Sequence, residues 1–349
     1  MNRVFLLLPR LDRFDAIAND VLGMRSFFRD RGTETIIVSA GGELKSDFIS
    51  PGKAAGIATS EDLLIYHYGI AWIEGDGFFQ AFAGKKVLRY HNVTPAHFYA
   101  PYHPGIANAC EEGRRRVIEL SPQLTLAVSD FNRRELLDAG WRGETVVVPP
   151  FHRVDDWALI PASGLSFEEQ LQILFVGRIV PNKNLVATIT VLEGALRRLG
   201  RKANLRIVGS LHSALKNYAS EVKNAIAHCK NLSVDIVGRA SEEKLKAYYL
   251  SSDVLVSFSE HEGFCVPVLE AMALGTAILI GQQSALEETL GASGISFTEE
   301  AVADWLSRCR SEDMGRSNAR RRYQLEFSQM AISRRMELAL NKINPALRR

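Results

Sequence analysis

Residues 171–200 read LQILFVGRIVPNKNLVATITVLEGALRRLG: an apolar run, a short polar loop and a long periodic stretch in direct succession. LQILFVG (171–177) has the length and, apart from Gln172, the apolar character of a strand buried on both faces. Leu185, Ile189, Leu192, Leu196 and Leu199 then recur on one helical face. The loop between them, GRIVPNKNL (177–185), sets Arg178 and Lys183 where a strand gives way to a helix. LRIVG (205–209), SVDIVG (233–238), DVLVSF (253–258) and AILIG (277–281) follow at intervals that leave room for a helix between each pair. Alternation of this kind predicts an α/β unit with a parallel sheet covered on both faces.

The same rhythm runs toward the amino terminus. VFLLL (4–8), TIIVSA (35–40), LLIYHYG (63–69), KVLRYHN (86–92), LTLAVS (124–129) and TVVVP (145–149) are strand candidates. Ile17, Val21, Met24 and Phe28 mark a helix between the first two, and Gly32 stops it. Between the two series the proline-bounded segment 149–166 has no sustained period and reads as an interdomain linker. Two successive α/β halves are the economical architecture, in keeping with a chain of 349 residues, long for a single core.

Composition excludes several classes. With 46% hydrophobic and 23% charged residues the chain is an ordinary globular one, and 42 basic against 40 acidic residues give no general pull toward nucleic acid. Cys110, Cys229, Cys265 and Cys309 are scattered without a C-x-x-C pair, so neither a disulfide framework nor a structural metal is indicated and a reducing cytoplasm fits best. The five-residue apolar run near the amino terminus is too short for a signal-peptide core, and no stretch approaches the ~18 apolar residues of a spanning helix. A dehydrogenase is disfavoured because no G-x-G-x-x-G follows a predicted strand.

Ligands of doubly wound sheets bind beyond the carboxyl ends of the strands, which puts the chemistry in strand-to-helix loops. Arg178 and Lys183 in one such loop suit a diphosphate. In SEHEGFCVPVLEAMALG (259–275), Pro267 fits a first helical turn and Gly275 a helix end. Glu262 is then expected in the loop and Glu270 in the first turn, with open amides at Gly263, Phe264, Cys265 and Val266. Carboxylates accept hydrogen bonds from sugar or ribose hydroxyls, and the amides can take phosphate or sugar oxygens.

GRIVPNKN followed about 80 residues later by SEHEGFCVPVLEAMALG resembles glycosyltransferase family 4, the retaining nucleotide-sugar transferases with an E-x7-E motif, here Glu262 and Glu270. RYHNVTPAHFY (89–99) and AVSDFNRRELLDAG (127–140) look like the family's amino-terminal segments. The resemblance implies a GT-B fold, α/β with two Rossmann-like domains whose parallel sheets face across a cleft: 1–155 on the acceptor side, with the helix of 325–349 packing back on it, and 156–324 on the donor side. It implies that Arg178 and Lys183 bind and neutralise the donor diphosphate, that Glu262 contacts the donor sugar, and that Glu270 holds the ribose hydroxyls. It also implies that His91 approaches the donor sugar at the reaction centre, with His67 a weaker candidate. In RLDRFDAIAND (10–20), Phe14 and Ala18 stand where relatives carry small or glycine residues, which points to a remodelled acceptor side.

The expectation is metal-independent, same-face transfer of a hexose, with mannose from GDP-mannose as the first choice, onto a saccharide or lipid-linked saccharide in bacterial surface polysaccharide synthesis. No cofactor is expected beyond the nucleotide-sugar donor, which is a substrate, and no D-x-D pair is present to hold a cation on it. A GT-B epimerase and a catalytically silent nucleotide-sugar-binding subunit are the alternatives. Arg114, Arg115 and Arg116 are the best local patch for peripheral contact with anionic lipid at the inner face of the cytoplasmic membrane.

Overall fold

The computed structural model of the protein describes residues 3–13, 15–160 and 169–343; Phe14 and the last part of the expected linker, 161–166, lie outside that range. The chain forms two compact units, one of Met1–Ala96, Gly105–Arg153 and Phe327–Arg349, the other of His97–Pro104 and Val154–Glu326. Residues 97–104, read from the sequence as part of the first domain, thus group with the second. Among the described residues no helix is long and apolar enough to cross a membrane.

The first unit is built on β1 (Arg3–Leu7), β2 (Glu34–Val38), β3 (Leu63–Tyr68), β4 (Lys85–Tyr90), β5 (Leu124–Ala127) and β6 (Thr145–Val147), all parallel in the order β2-β1-β3-β4-β5-β6. Val4, Leu6, Ile65, Val87 and Leu126 are sealed from solvent, as strands covered on both faces require. The helix Ala16–Arg29 starts where Asp15 accepts a hydrogen bond from the Ala18 amide, and lays Val21, Met24 and Phe28 into that core. The helix Gln329–Leu340 completes the same core with Ile332, Met336, Ala339 and Leu340.

The second unit carries β7 (Leu171–Val176), β8 (Ala203–Val208), β9 (Leu232–Gly238), β10 (Val254–Ser257) and β11 (Ala277–Ile280), again all parallel, in the order β11-β10-β7-β8-β9. β7 lies between β8 on one side and β10 on the other, with Ile173 opposite Val254. Strand order therefore reverses at β7 and β10. A crevice outside the carboxyl ends of the strands at such a reversal is where a sheet of this type takes its ligand. In the first sheet the reversal falls at β1 and β3.

Candidate functional site

The loop after β7 is shaped by backbone contacts before any side chain acts. Gly177 donates its amide to the carbonyl of Val208 at 3.0 Å, and Ile179 to that of Ser210 at 3.1 Å. The loop after β8 must pass close by at Gly209, where a Cβ would stand 1.8 Å from the Gly177 carbonyl oxygen. A short 3-10 turn, Pro181–Lys183, then leads through Asn184, left-handed at φ 53°, into the helix Leu185–Leu199.

Asn182, 94% buried, ties this loop to the one leaving β10. Its Nδ2 donates to the His261 carbonyl at 3.0 Å, its carbonyl accepts the Glu260 amide at 2.9 Å, and its Oδ1 accepts the Tyr99 hydroxyl at 3.3 Å. The staple brings Lys183 and Glu262 into direct contact, Nζ to Oε1, with side-chain exposures of 16% and 9%. The sequence reading gave these two residues separate partners on a donor; the structure pairs them with one another. Arg178 is exposed and has neither an ion pair nor a side-chain hydrogen bond among the described residues. Together with burial, the larger cause, its charge helps hold the His212 imidazole below its ordinary range.

After β10 the chain turns at Cys265, a non-glycine residue at φ 68°, and enters the helix Val266–Leu274. Glu270 is the fifth residue of that helix and so belongs to its second turn, a correction to the first-turn placement. The reason is that the left-handed Cys265 caps the helix so that it starts at Val266, one residue before Pro267, which sets Glu270 just past the first turn. Glu262 remains in the loop as expected. The side chains of Phe264 and Cys265 are buried, and the Phe264 carbonyl accepts the Thr289 hydroxyl at 2.6 Å. Burial, with Glu262 adding to it, pushes the Cys265 thiol up to about 12, so it is no nucleophile at neutral pH. Gly263, Cys265 and Val266 provide the backbone of the turn between the two carboxylates.

Glu270 is half-buried and accepts a hydrogen bond from Tyr249 Oη at 2.6 Å. Burial raises its carboxyl to about 7, Glu242 pushes the same way, and the Tyr249 hydroxyl opposes both. Tyr249 is sealed from solvent, and its ring packs against Trp157 at 6.0 Å.

In the first unit His91 follows β4, while His67 sits inside β3. His67 Nδ1 and His91 Nε2 are 3.0 Å apart. Asp20 Oδ2, from the helix after β1, lies 3.5 Å from the first nitrogen and 3.3 Å from the second. Arg89 grips Asp20 with Nε to Oδ2 at 2.8 Å and Nη2 to Oδ1 at 3.3 Å, and donates to the carbonyls of Val148 and Pro149. Asp20, His67 and Arg89 have no solvent exposure. Desolvation dominates here too: it drives the His67 imidazole well below its usual range and His91 down to about 4, while Arg89 and the imidazoles overcome it at Asp20 and hold that carboxyl low.

Sequence reading missed Asp20, Asn182 and Tyr249. Asp20 left a signal: it falls three residues after Ile17 and four before Met24, a carboxylate on the apolar stripe of its helix. Such a charge has to find a buried partner. Arg114, Arg115 and Arg116, read as a lipid-facing patch, are each paired with a carboxylate: Glu135, Glu112 and Asp76 respectively. Those acids offset the charge that anionic lipid would feel.

With the geometry established, comparison with known proteins defines the class of fold. Over 97% of its length the chain superposes on 99% of Anabaena HepE, solved in complex with UDP and glucose, at a TM-score of 0.76 and 15% identity. A Rickettsia africae glycosyltransferase matches with a TM-score of 0.72 at 18% identity, each chain covered to 98%. The fold is GT-B, two Rossmann-like units with parallel sheets.

In sequence, residues 158–306 match the family model described as "Glycosyl transferases group 1". Lipopolysaccharide 1,2-N-acetylglucosaminetransferase of Salmonella typhimurium is 26% identical over 143 residues, 39% of this chain and 37% of the relative. O-antigen chain mannosyltransferase B of Escherichia coli is 25% identical over 223 residues, 60% of this chain and 56% of the relative. The similarity thus spans between about a third and just over half of these relatives' length.

Proposed function

We propose that the protein is a retaining glycosyltransferase that moves a hexose from a nucleotide-diphosphate sugar to a saccharide or lipid-linked saccharide acceptor. The observation that carries this reading is the joining of the loops after β7 and β10 at the strand-order reversal, with Lys183 on Glu262 and Asn182 holding the two together. The match to group 1 glycosyl transferases over 158–306 covers both loops.

In this reading Lys183 leaves Glu262 when donor arrives and, with Arg178, neutralises the diphosphate. Glu262, freed of its cation, accepts hydrogen bonds from the sugar hydroxyls, and Glu270 accepts those of the ribose. As the glycosidic bond breaks, negative charge grows on the departing phosphate, and fixed cations in a water-poor crevice stabilise it more than they stabilise the ground state. The acceptor hydroxyl attacks the same face and passes its proton to that phosphate, so configuration is kept. Protein cations fill the place a metal ion would take, and transfer should persist in EDTA. His91 contributes a hydrogen bond to the reacting sugar.

Surface polysaccharide assembly is the favoured setting, in keeping with relatives named as a lipopolysaccharide N-acetylglucosaminetransferase and an O-antigen chain mannosyltransferase, and GDP-mannose is the first donor to try. Thermal-shift screening against GDP-, UDP-, dTDP- and ADP-sugars tests the reading. One nucleotide sugar should raise the melting temperature of the wild type and not that of Lys183→Ala. A flat response to every donor would contradict it.

A further inference from the structure

The Asp20, His67 and His91 cluster is more elaborate than a single sugar contact needs, and its hydrogens can be counted. His67 Nδ1 and His91 Nε2 face each other at 3.0 Å, so one of them carries the hydrogen and the other the lone pair. If His91 Nε2 carried it, a neutral His67 would hold its own hydrogen on Nε2. That atom is buried without a hydrogen-bond partner among the described residues. An orphaned buried N–H is rarer and less favourable than an orphaned acceptor lone pair. The opposite assignment leaves His67 Nε2 as a bare lone pair and makes His67 Nδ1–H the one hydrogen that faces both His91 Nε2 at 3.0 Å and Asp20 Oδ2 at 3.5 Å, two acceptors 3.3 Å apart, while the remaining hydrogen of His91 sits on Nδ1.

We propose that His67 and Asp20 are positioning residues that hold His91 as the neutral tautomer protonated on Nδ1, making it a hydrogen-bond donor and not a proton acceptor. Asp20 keeps both rings in place from the helix Ala16–Arg29 and is itself fixed by Arg89 and by the Phe151 amide at 2.7 Å. Its charge, already matched by Arg89, attracts the His67 Nδ1–H at 3.5 Å and so favours the hydrogen on that nitrogen. His91 alone of the three retains side-chain exposure, 8%, and its Nδ1 has no hydrogen-bond partner among the described residues. Burial keeps both imidazoles neutral near pH 7, as the count of hydrogens requires.

A divalent ion shared by Asp20 Oδ2, His67 Nδ1 and His91 Nε2, all within 4.8 Å of one another, is the competing account of the same cluster. Two features oppose it. A metal-bound His67 would carry its hydrogen on the unpartnered Nε2, whereas ligating imidazoles donate that hydrogen to a partner. The ion would also sit beside the buried Arg89 guanidinium with Asp20 already neutralised, leaving an excess of positive charge out of water.

The tautomer stands on this geometry alone; its consequence for transfer, donation from His91 Nδ1–H to a sugar oxygen, rests on the function proposed above. Long-range proton-nitrogen correlation spectra of the full chain with labelled histidine decide it at pH 7, with His91→Phe identifying the signals. A pyrrole-type Nδ1 and a pyridine-type Nε2 on His91 are expected, unchanged by added Zn2+. His67→Asn, whose amide N–H replaces the Nδ1–H, should keep this pattern, and His67→Phe should switch His91 to the Nε2–H form facing Asp20. A wild-type Nε2–H tautomer, an unchanged pattern in His67→Phe, or zinc-induced shifts at His67 Nδ1 and His91 Nε2 together would overturn the proposal. None of these readouts depends on any donor being turned over, so the tautomer and the transferase reading can fail separately.

Discussion

Lys183 and Glu262 neutralise each other in the second unit, and each is the reason the other tolerates near-burial. Lys183→Ala is expected to lower the transfer rate at least about tenfold, since a charge-assisted hydrogen bond contributes ~1.5–3 kcal/mol and ~1.4 kcal/mol is a factor of ten. Steady-state kinetics check this, and near-normal turnover would remove Lys183 from the site. Glu262→Ala should weaken nucleotide-sugar binding more than binding of the bare nucleoside diphosphate; calorimetric titration of both ligands would expose the reverse order. Glu270 offers a pH test. Its folded carboxyl titrates at about 7 against an ordinary 4.5, so the folded state holds the proton more firmly than the unfolded chain. Its contribution to stability is therefore greatest below 4.5 and falls as pH rises toward 7, while its capacity to accept ribose hydrogen bonds rises over the same window. Thermal melts across that range should show a downward slope that Glu270→Gln flattens. Tyr249→Phe, by removing the hydrogen bond that favours the carboxylate, should move the midpoint higher.

At the scale of elements, the eleven strands among the described residues were legible because short, mostly apolar runs recur at intervals that leave room for a helix, and the helix Leu185–Leu199 because its apolar positions keep one face. What the sequence could not supply was contact across loops. Nothing local to PNKN says that Asn182 reaches the His261 carbonyl, 79 residues away, or that Tyr249 meets Glu270 from a neighbouring helix. Likewise a left-handed Cys265 has no signature in composition, and the helix start it sets moves Glu270 one residue further along, into the second turn. Loop-to-loop contact also governs Gly209. In Gly209→Ala the new methyl would collide with the Gly177 carbonyl, so the loop bearing Arg178 and Lys183 must move. A loss of about 1–3 kcal/mol in stability is expected from such overpacking, together with weaker donor binding. Denaturant unfolding and calorimetry on the same variant measure both, and wild-type values would show that the loop has room to spare.

At the scale of the whole molecule the chain lends His97–Pro104 to the second unit, enters that unit again at Val154 and returns to the first at Phe327. The helix Gln329–Leu340 is thereby part of the first unit's core although it is the last helix in sequence. Met336→Ala should cost about 2–5 kcal/mol, as for other large-to-small changes at sealed positions. Where the two units melt separately, the loss should appear in the first unit's transition alone. The account as a whole stands on the claim that the second unit presents a nucleotide-sugar donor for transfer with its configuration kept. Proton NMR of a reaction run without added metal, following the anomeric signal as donor is consumed, tests that claim most directly. The account predicts a product with the donor's anomeric configuration in wild type and little or none in Lys183→Ala; an inverted product, or equal turnover by the two proteins, would contradict it.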